Sequence, residues 1–141
     1  METQEDEVIK VANLMTRKVV VANLNNKFSQ VVQFFTDTNI NHLPIAEDDV
    51  LLGIISIKDV LKFVGQELSS GKSLTAADLD AKFSLDAIMT KNPVFVHPND
   101  LIEKAIEILS EGKFQALPVV EDGKIVGIVT NKDIVRLDST L

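Results

Sequence analysis

The sequence predicts an α+β protein made of two tandem β-α-β-β-α repeats that pack about a pseudo-two-fold axis. Hydrophobic residues make up 45% and charged residues 25% of the 141 residues, which is typical of a globular chain with a substantial core. Short apolar runs bounded by turn residues indicate strands, and they alternate with stretches of helical periodicity. The whole pattern then occurs a second time, which predicts an internal duplication.

The internal repeat keeps a constant offset of 74 positions, because residues 11–61 match residues 85–135 without a gap. Chance does not keep such a register, so the chain contains two copies of one unit. The matched segments are Leu14-Met15-Thr16 with Ile88-Met89-Thr90, Leu43-Pro44 with Leu117-Pro118, Gly53-Ile54 with Gly127-Ile128, and Lys58-Asp59 with Lys132-Asp133.

These matches divide the chain into three segments. We expect the first repeat over 8–64, a partly helical linker over 65–83 with a short helix over 74–81, and the second repeat over 84–138. A unit of this size buries too little surface to be stable alone. The two repeats are therefore expected to form one module, with a cleft between them.

Each repeat is expected to contain a helical turn, a strand, a helix, two strands and a final helix, in that order. The helical turn ends at Met15 in the first copy and at Met89 in the second. The last two strands are joined by turns at 47–49 and at 121–123, where an Asp-Gly dipeptide is a hairpin signal. The expected strands cover 19–22, 42–46 and 50–55 in the first repeat, and 94–96, 116–120 and 125–129 in the second.

The helices are predicted from apolar residues at helical spacing. The central helix of the second copy is expected to have Asn99 or Asp100 as its N-cap. The final helices are expected to begin after Ser56 and after Thr130. The apolar helical positions are Phe28, Val31, Val32 and Phe35 in the first copy, and Leu101, Ile102, Ala105, Ile106, Ile108 and Leu109 in the second.

Charge and composition exclude several classes of function. The 14 basic and 21 acidic residues give a net charge of −7, whereas binding to a nucleic-acid backbone requires a basic surface. The absence of cysteine removes disulfides, thiolate catalysis and cysteine metal sites. No apolar run approaches the roughly 20 residues that span a bilayer, and the acidic segment 1–7 lacks the features of a signal peptide. We therefore expect a cytoplasmic protein without nucleic-acid or membrane partners.

The pattern also lacks the usual signatures of catalytic and metal sites. His42 and His97 have no metal-ligand spacing to one another, and no Gly-x-Ser-x-Gly elbow occurs. We expect no catalytic residue, no metal and no required cofactor. The chain is accordingly not expected to be an enzyme.

Two segments of the second copy carry a resemblance to a known family: Met89-Thr90-Lys91-Asn92-Pro93-Val94-Phe95-Val96, and the run from Ala116 to Asp133. The first copy matches them more loosely through Leu14-Met15-Thr16 and through the run from His42 to Asp59. This ordered set, found twice, resembles the CBS domain family, named after cystathionine β-synthase, in its tandem arrangement. The resemblance implies a regulatory, ligand-sensing module that binds AMP, ADP, ATP or S-adenosylmethionine in its cleft. It also implies a homodimer and a regulated partner protein.

The resemblance further implies a set of site residues. In the family, the Ser or Thr that closes the third strand lies near phosphate, and the Asp three residues later binds the ribose hydroxyls. An apolar residue two positions before the Ser or Thr packs near adenine, and basic or polar side chains approach the phosphate or line the cleft. The implied ligand-binding residues are Ser56, Asp59, Ile54, Lys58, His42, Lys18 and Asn92, together with Thr130, Asp133, Ile128 and Lys132.

Structural explanations compete with these assignments. Ser-x-x-Asp and Thr-x-x-Asp are also close to capping-box patterns, in which the Asp suits the first turn of a helix. The isoleucines also suit an ordinary core, the lysines a solvated face, and His42 a structural position. Val19 replaces the proline found at Pro93, and Ala116 stands where the first copy has His42. The two candidate sites are therefore expected to be unequal.

Three functions follow from these observations. The leading hypothesis is a ligand-sensing module. The alternative is a protein-interaction or structural module with an unoccupied cleft. The third, a small enzyme acting on nucleotides, requires a catalytic constellation that the sequence does not contain.

Overall fold

The computed structural model describes residues 8–71 and 74–137. They form two compact units. The central unit is Val20–Pro93, and the terminal unit combines the described residues up to Val19 with those from Val94 onward. The opening segment of each repeat thus belongs to the unit that contains the later strands of the other repeat. The units therefore cut across the repeat boundaries expected from the sequence, which stay predictions.

The secondary structure confirms the predicted mixed helix and sheet architecture. In chain order the elements are α1 (Val11–Leu14), α2 (Phe28–Thr38), β1 (His42–Glu47), β2 (Val50–Ser56), α3 (Ile57–Ser69), α4 (Ala76–Lys82), α5 (Leu85–Ile88), β3 (Thr90–Lys91), α6 (Ile102–Ser110), β4 (Ala116–Glu121), β5 (Lys124–Thr130) and α7 (Asn131–Val135). The two hairpins, β1–β2 and β4–β5, are antiparallel and share one register at the 74-residue offset.

The predicted hairpin turns are also present. Asp48 and Asp49 have φ of 52° and 67°, and Asp122 and Gly123 have φ of 53° and 79°. Two consecutive residues with positive φ are typical of the turns whose twist matches that of paired strands. Both copies therefore close their hairpins in the same way, the second with a glycine that adopts this conformation at no steric cost.

The predicted strands at 19–22 and 94–96 are wrong, because each is reduced to a single parallel bridge, Ala22 to Ile45 and Val96 to Val119. The Ala22 N–H donates to Pro44 O at 2.9 Å, and the corresponding donor in the second copy bonds to Pro118 O. Extending either ladder backwards would need an N–H from the proline itself, and proline has none. The ladder therefore stops at one residue.

The expected N-cap of the second copy's central helix is also wrong. Helix α6 has Leu101 as its N-cap, and the side chain of Leu101 makes no capping hydrogen bond. The carboxylate of Asp100 instead accepts the backbone N–H of His97 at 2.8 Å, and it lies 3.4 Å from Lys104 Nζ. The hydrogen bond from His97 lowers the pKa of Asp100. Asp100 thus fixes the turn before the helix instead of capping the helix.

The linker helix α4 packs on the central unit. It is capped by Thr75, whose Oγ1 accepts the N–H of Asp78 at 3.1 Å, and it confirms the predicted short helix. Three aromatic rings from α2, α3 and the residue after α4 lie 5.3–5.6 Å apart; they are Phe28, Phe63 and Phe83. Asp80 accepts two hydrogen bonds from Ser29, at 2.8 and 3.0 Å. The described part of the linker is therefore tied to the first repeat. Linker residues 72–73 lie outside the described residues.

A glycine in each unit allows a very close backbone approach. A Cβ on Gly53 would lie 2.6 Å from Met89 Sδ and 2.8 Å from the carbonyl oxygen of Thr90. In the terminal unit, a Cβ on Gly127 would meet Met15 Sδ at 2.6 Å. No real Cβ tolerates such distances without a shift of its neighbours. Both strands therefore require glycine at this position.

Replacing either glycine by alanine is expected to destabilise the unit that contains it. Gly53→Ala and Gly127→Ala should each cost about 1–3 kcal/mol, because the added methyl group overpacks a filled position. Gly65→Ala is the matched control, since Gly65 lies inside α3 with nothing within 4 Å of its Cβ position. That change should stabilise by up to about 1 kcal/mol through helix propensity. Denaturant unfolding measures all three, and equal effects at the three positions would contradict the packing argument.

Candidate functional site

The candidate site of the central unit is built at the junction of β2 and α3. The Oγ of Ser56 accepts the N–H of Asp59 at 3.2 Å and donates to Asp59 Oδ2 at 3.0 Å. The Ser56 N–H donates to the same Oδ2 at 2.8 Å. These bonds form a capping box, so the structural interpretation of Ser-x-x-Asp is confirmed here. Within the described residues, the hydrogen bonds to this carboxylate all end on Oδ2, and Oδ1 keeps its acceptor capacity.

Other predicted residues lie close to this junction. His42 faces Ser56 in the β1–β2 register, and Ile54 faces Thr90 of β3. Asn92, with a positive φ of 48°, donates its N–H to Leu52 O at 3.2 Å. Ile54 is only half-buried and is not part of the fully buried core. The sheet therefore brings His42 and Ile54 to the same end of β2 as Ser56.

The charges around His42 connect it to the first turn of α3. Burial lowers the pKa of His42, and the positive charge of Lys58 acts in the same direction, while the negative charge of Asp59 opposes both. Lys58 itself is exposed. His42, Lys58 and Asp59 thus form one electrostatic group in the central unit.

The terminal unit contains the second candidate site at the junction of β5 and α7. The Thr130 N–H donates to Asp133 Oδ2 at 2.9 Å, and Thr130 Oγ1 lies 3.4 Å from the same oxygen. Asp133 is buried, with 4% of its surface exposed, and its Oδ1 lies 3.6 Å from Arg136 Nη2. Ala116 faces Thr130 where the central unit has His42. The two candidate sites therefore differ in burial, charge and partners.

The remaining predicted residues of the terminal unit have no hydrogen bond or ion pair, among the described residues, with Thr130 or Asp133. Ile128 is buried and exchanges backbone hydrogen bonds with Thr16 at 2.9 and 3.0 Å. Lys132 and Lys18 are exposed. The ligand-binding roles of all eleven residues stay predictions.

Arg136, which lies beside the second candidate site, is the residue that the sequence reasoning missed. The signal was present, because a basic residue three positions after an acidic one on a helix lies on the same face. His97 lies in the loop before α6, and its Nδ1 lies within hydrogen-bond distance of Val120 O, at 2.9 Å.

Within residues 8–71 and 74–137, no group of three or more acidic or histidine side chains is arranged to hold a metal ion. No helix in the same ranges has the length and apolar character needed to cross a membrane.

Two copies of a helix-strand-strand-helix repeat, each with a Ser or Thr and an Asp at the start of the last helix, define a tandem domain pair. The sequence profile of the CBS domain matches the chain twice, over residues 11–66 and 85–139. The chain belongs to the CBS domain family.

Several relatives are similar over nearly the whole chain. An uncharacterized protein of Methanocaldococcus jannaschii, MJ0188, is 30% identical over 91% of this chain, which spans 43% of that protein. The L-aspartate semialdehyde sulfurtransferase of the same organism is 29% identical over 90% of this chain, which spans 23% of that enzyme. The chain therefore spans less than half the length of these relatives.

Solved structures of domain pairs are also similar. The CBS domain pair of protein MJ0100, in complex with 5′-methylthioadenosine and S-adenosyl-L-methionine, has a TM-score of 0.79 at 28% identity, covering 94% of this chain and 98% of that one. CBSX2 in complex with AMP, a protein of Arabidopsis thaliana, has a TM-score of 0.77 at 26% identity, covering 94% and 97%. These similarities confirm the predicted fold class and family.

The lowered pKa of His42 predicts a pH dependence of stability. The ordinary pKa is 6.5, and the folded value lies below it, so the unfolded chain binds the proton first. The contribution of His42 is therefore complete above pH 6.5 and decreases as the pH falls through 6.5 toward the folded value. His42→Ala, which copies Ala116, should remove this component. Thermal unfolding of both proteins from pH 7.5 to 5 measures the difference, and parallel pH profiles would contradict it.

Proposed function

We propose that the chain is a regulatory module that binds an adenine nucleotide, namely AMP, ADP, ATP or S-adenosylmethionine, at the Ser56–Asp59 site. The observation that carries the proposal is the half-buried carboxylate of Asp59, which the capping box holds through Oδ2 alone. A carboxylate oxygen with free acceptor capacity suits a ribose hydroxyl, and bonds to an ionised acceptor are the stronger kind. The cap fixes this group in place before any ligand arrives, so little ordering is needed on binding.

The surroundings of Asp59 suit the rest of such a ligand. Helix α3 has thirteen residues, and its N-terminus carries partial positive charge that favours phosphate. His42 and Lys58 lie within electrostatic reach of Asp59 and supply protonatable and cationic groups. The half-buried Ile54 offers an apolar surface for a base. Carboxylate, cationic and apolar groups therefore occur together at the end of β2.

The relatives support the same class of ligand. The domain pair of MJ0100 and CBSX2 were each crystallised with compounds that contain adenosine. The sulfurtransferase relative is about four times the length of the matched region, which supports a module that acts on an attached or partner protein. A nucleotide that binds one conformation of the module better than another would shift its equilibrium, and the partner would respond.

The alternative function is an interaction module without a ligand. The observation in its favour is that both Ser/Thr-x-x-Asp segments form hydrogen bonds within the protein itself. A site that only caps a helix needs no nucleotide.

Calorimetric titration with the four nucleotides tests the proposal. Asp59→Asn should weaken binding at least tenfold, because the neutral amide presents an N–H₂ donor and loses the charge-assisted bond. Asp78→Asn is the matched control, because Asp78 has the same capping-box role in α4. Both variants should lose about 1 kcal/mol of stability, but only Asp59→Asn should lose the nucleotide. A ligand at about 100 times its Kd should also stabilise the wild type by about 2.7 kcal/mol.

Two outcomes would count against the proposal. No binding of any of the four nucleotides to the wild type at millimolar concentration favours the interaction module. Equal loss of binding in both Asn variants assigns the effect to lost helix caps and removes Asp59 from the ligand site.

A homodimer is the second part of the proposal. Leu61 on α3 is 64% exposed, and Val135, its counterpart on α7, is 76% exposed. A large apolar side chain exposed at the matching position of each repeat supports an apolar surface on each repeat that a second copy covers. Sedimentation equilibrium should give twice the mass of one chain. Leu61→Lys with Val135→Lys should give a monomer, whereas Val50→Lys, at an exposed residue beside a hairpin turn, should not. A wild-type monomer would contradict this part.

A further inference from the structure

The two candidate sites hold the same motif in different states. Asp133 is the one buried charged side chain in the part of the chain that the structure describes, with 4% of its surface exposed. Asp59, its counterpart in the first repeat, is half-buried. A ligand hydroxyl therefore reaches Asp59 more easily than Asp133.

The hydrogen bonds and charges around the two carboxylates also leave Asp59 more available to a ligand than Asp133. Both oxygens of Asp133 have a protein partner, since Thr130 binds Oδ2 and Arg136 Nη2 lies 3.6 Å from Oδ1. In the described residues, the bonds to Asp59 all end on Oδ2. A ribose hydroxyl at Asp133 would have to compete with an arginine, which is charged at every pH and offers several donors in a planar fork.

The residue three positions after each Asp accounts for this difference. The second repeat has Arg136, and the first repeat has Lys62 at the 74-residue offset. Lys62 is exposed and forms no ion pair with Asp59, both being described residues. The lengths of the helices add to the effect, because α7 has only five residues and α3 has thirteen. The helix dipole at Thr130 is correspondingly weaker than that at Ser56.

We infer that Arg136 closes the second site by an ion pair within the chain, so that each protomer binds one adenine nucleotide, at the Ser56–Asp59 site. The inference rests on the proposed function and adds its stoichiometry. Arg136 is a site-selecting residue. Its side chain is 69% exposed, and its Nη2 lies 3.6 Å from Asp133 Oδ1.

Calorimetric titration of the intact chain measures the stoichiometry directly. The wild type should bind one nucleotide per protomer. Arg136→Gln should raise the number to two, or raise the affinity of a second, weak site at least tenfold, because the competing cation is gone. Lys62→Gln is the matched control at the same position of the first repeat, and it should leave the number at one.

Further measurements separate this inference from the proposed function. Asp59→Asn in the Arg136→Gln background should keep one nucleotide per protomer, now at the second site. Two wild-type sites of similar affinity would overturn the inference while leaving the proposed function standing, and this result does not depend on any variant folding. A single site in folded Arg136→Gln would also overturn it. No binding to any of these proteins would overturn the proposed function and the inference with it.

Discussion

The contact between a strand glycine and a Met-Thr segment of the other repeat is the constraint on which each unit depends. Backbone hydrogen bonds of 2.9 and 3.0 Å join Thr16 to Ile128 in the terminal unit, and the methionine before the threonine lies against the glycine of the strand. Methionine suits this place because its unbranched side chain fills irregular gaps. The short helices before these segments bury Val11 and Leu85 in the same cores. Since each unit needs residues from both repeats, a single repeat does not complete a core.

This constraint also positions the candidate site. Strand β2 pairs with β1 on one side and with the short β3 on the other. Gly53 and Ile54 are the residues of β2 that face β3, where the two backbones approach closely. Ser56 therefore leaves the sheet at a fixed place and direction. Helix α3 then begins at once, capped by Ser56 and Asp59. The position of the carboxylate is thus set by packing that lies several residues away.

The sequence alone was enough for the repeat, the helices and both hairpins, because these depend on local periodicity and turn residues. The prediction from sequence failed where the structure of a segment depends on a hydrogen-bond partner elsewhere in the chain. The strand expected at 19–22 is cut short by the missing N–H of Pro44, and Asp100 binds the N–H of His97 instead of capping α6. The sequence also did not predict that the opening segment of each repeat belongs to the unit of the other repeat. Periodicity gives no information on pairing between residues far apart in the chain. For the same reason, the site motif was found but the burial of Asp133 was not.

The Ser/Thr-x-x-Asp motif can cap a helix and bind a ribose hydroxyl at the same time only if each role uses a different oxygen of the carboxylate. The cap needs one carboxylate oxygen, and a ribose hydroxyl needs another. Both repeats therefore use the motif to cap a helix, whether or not a ligand binds. Whether the second oxygen stays available is decided by a residue outside the motif, such as Lys62 or Arg136. Two copies of one repeat can accordingly share a motif, a fold and a stable helix start while differing in their capacity for a ligand.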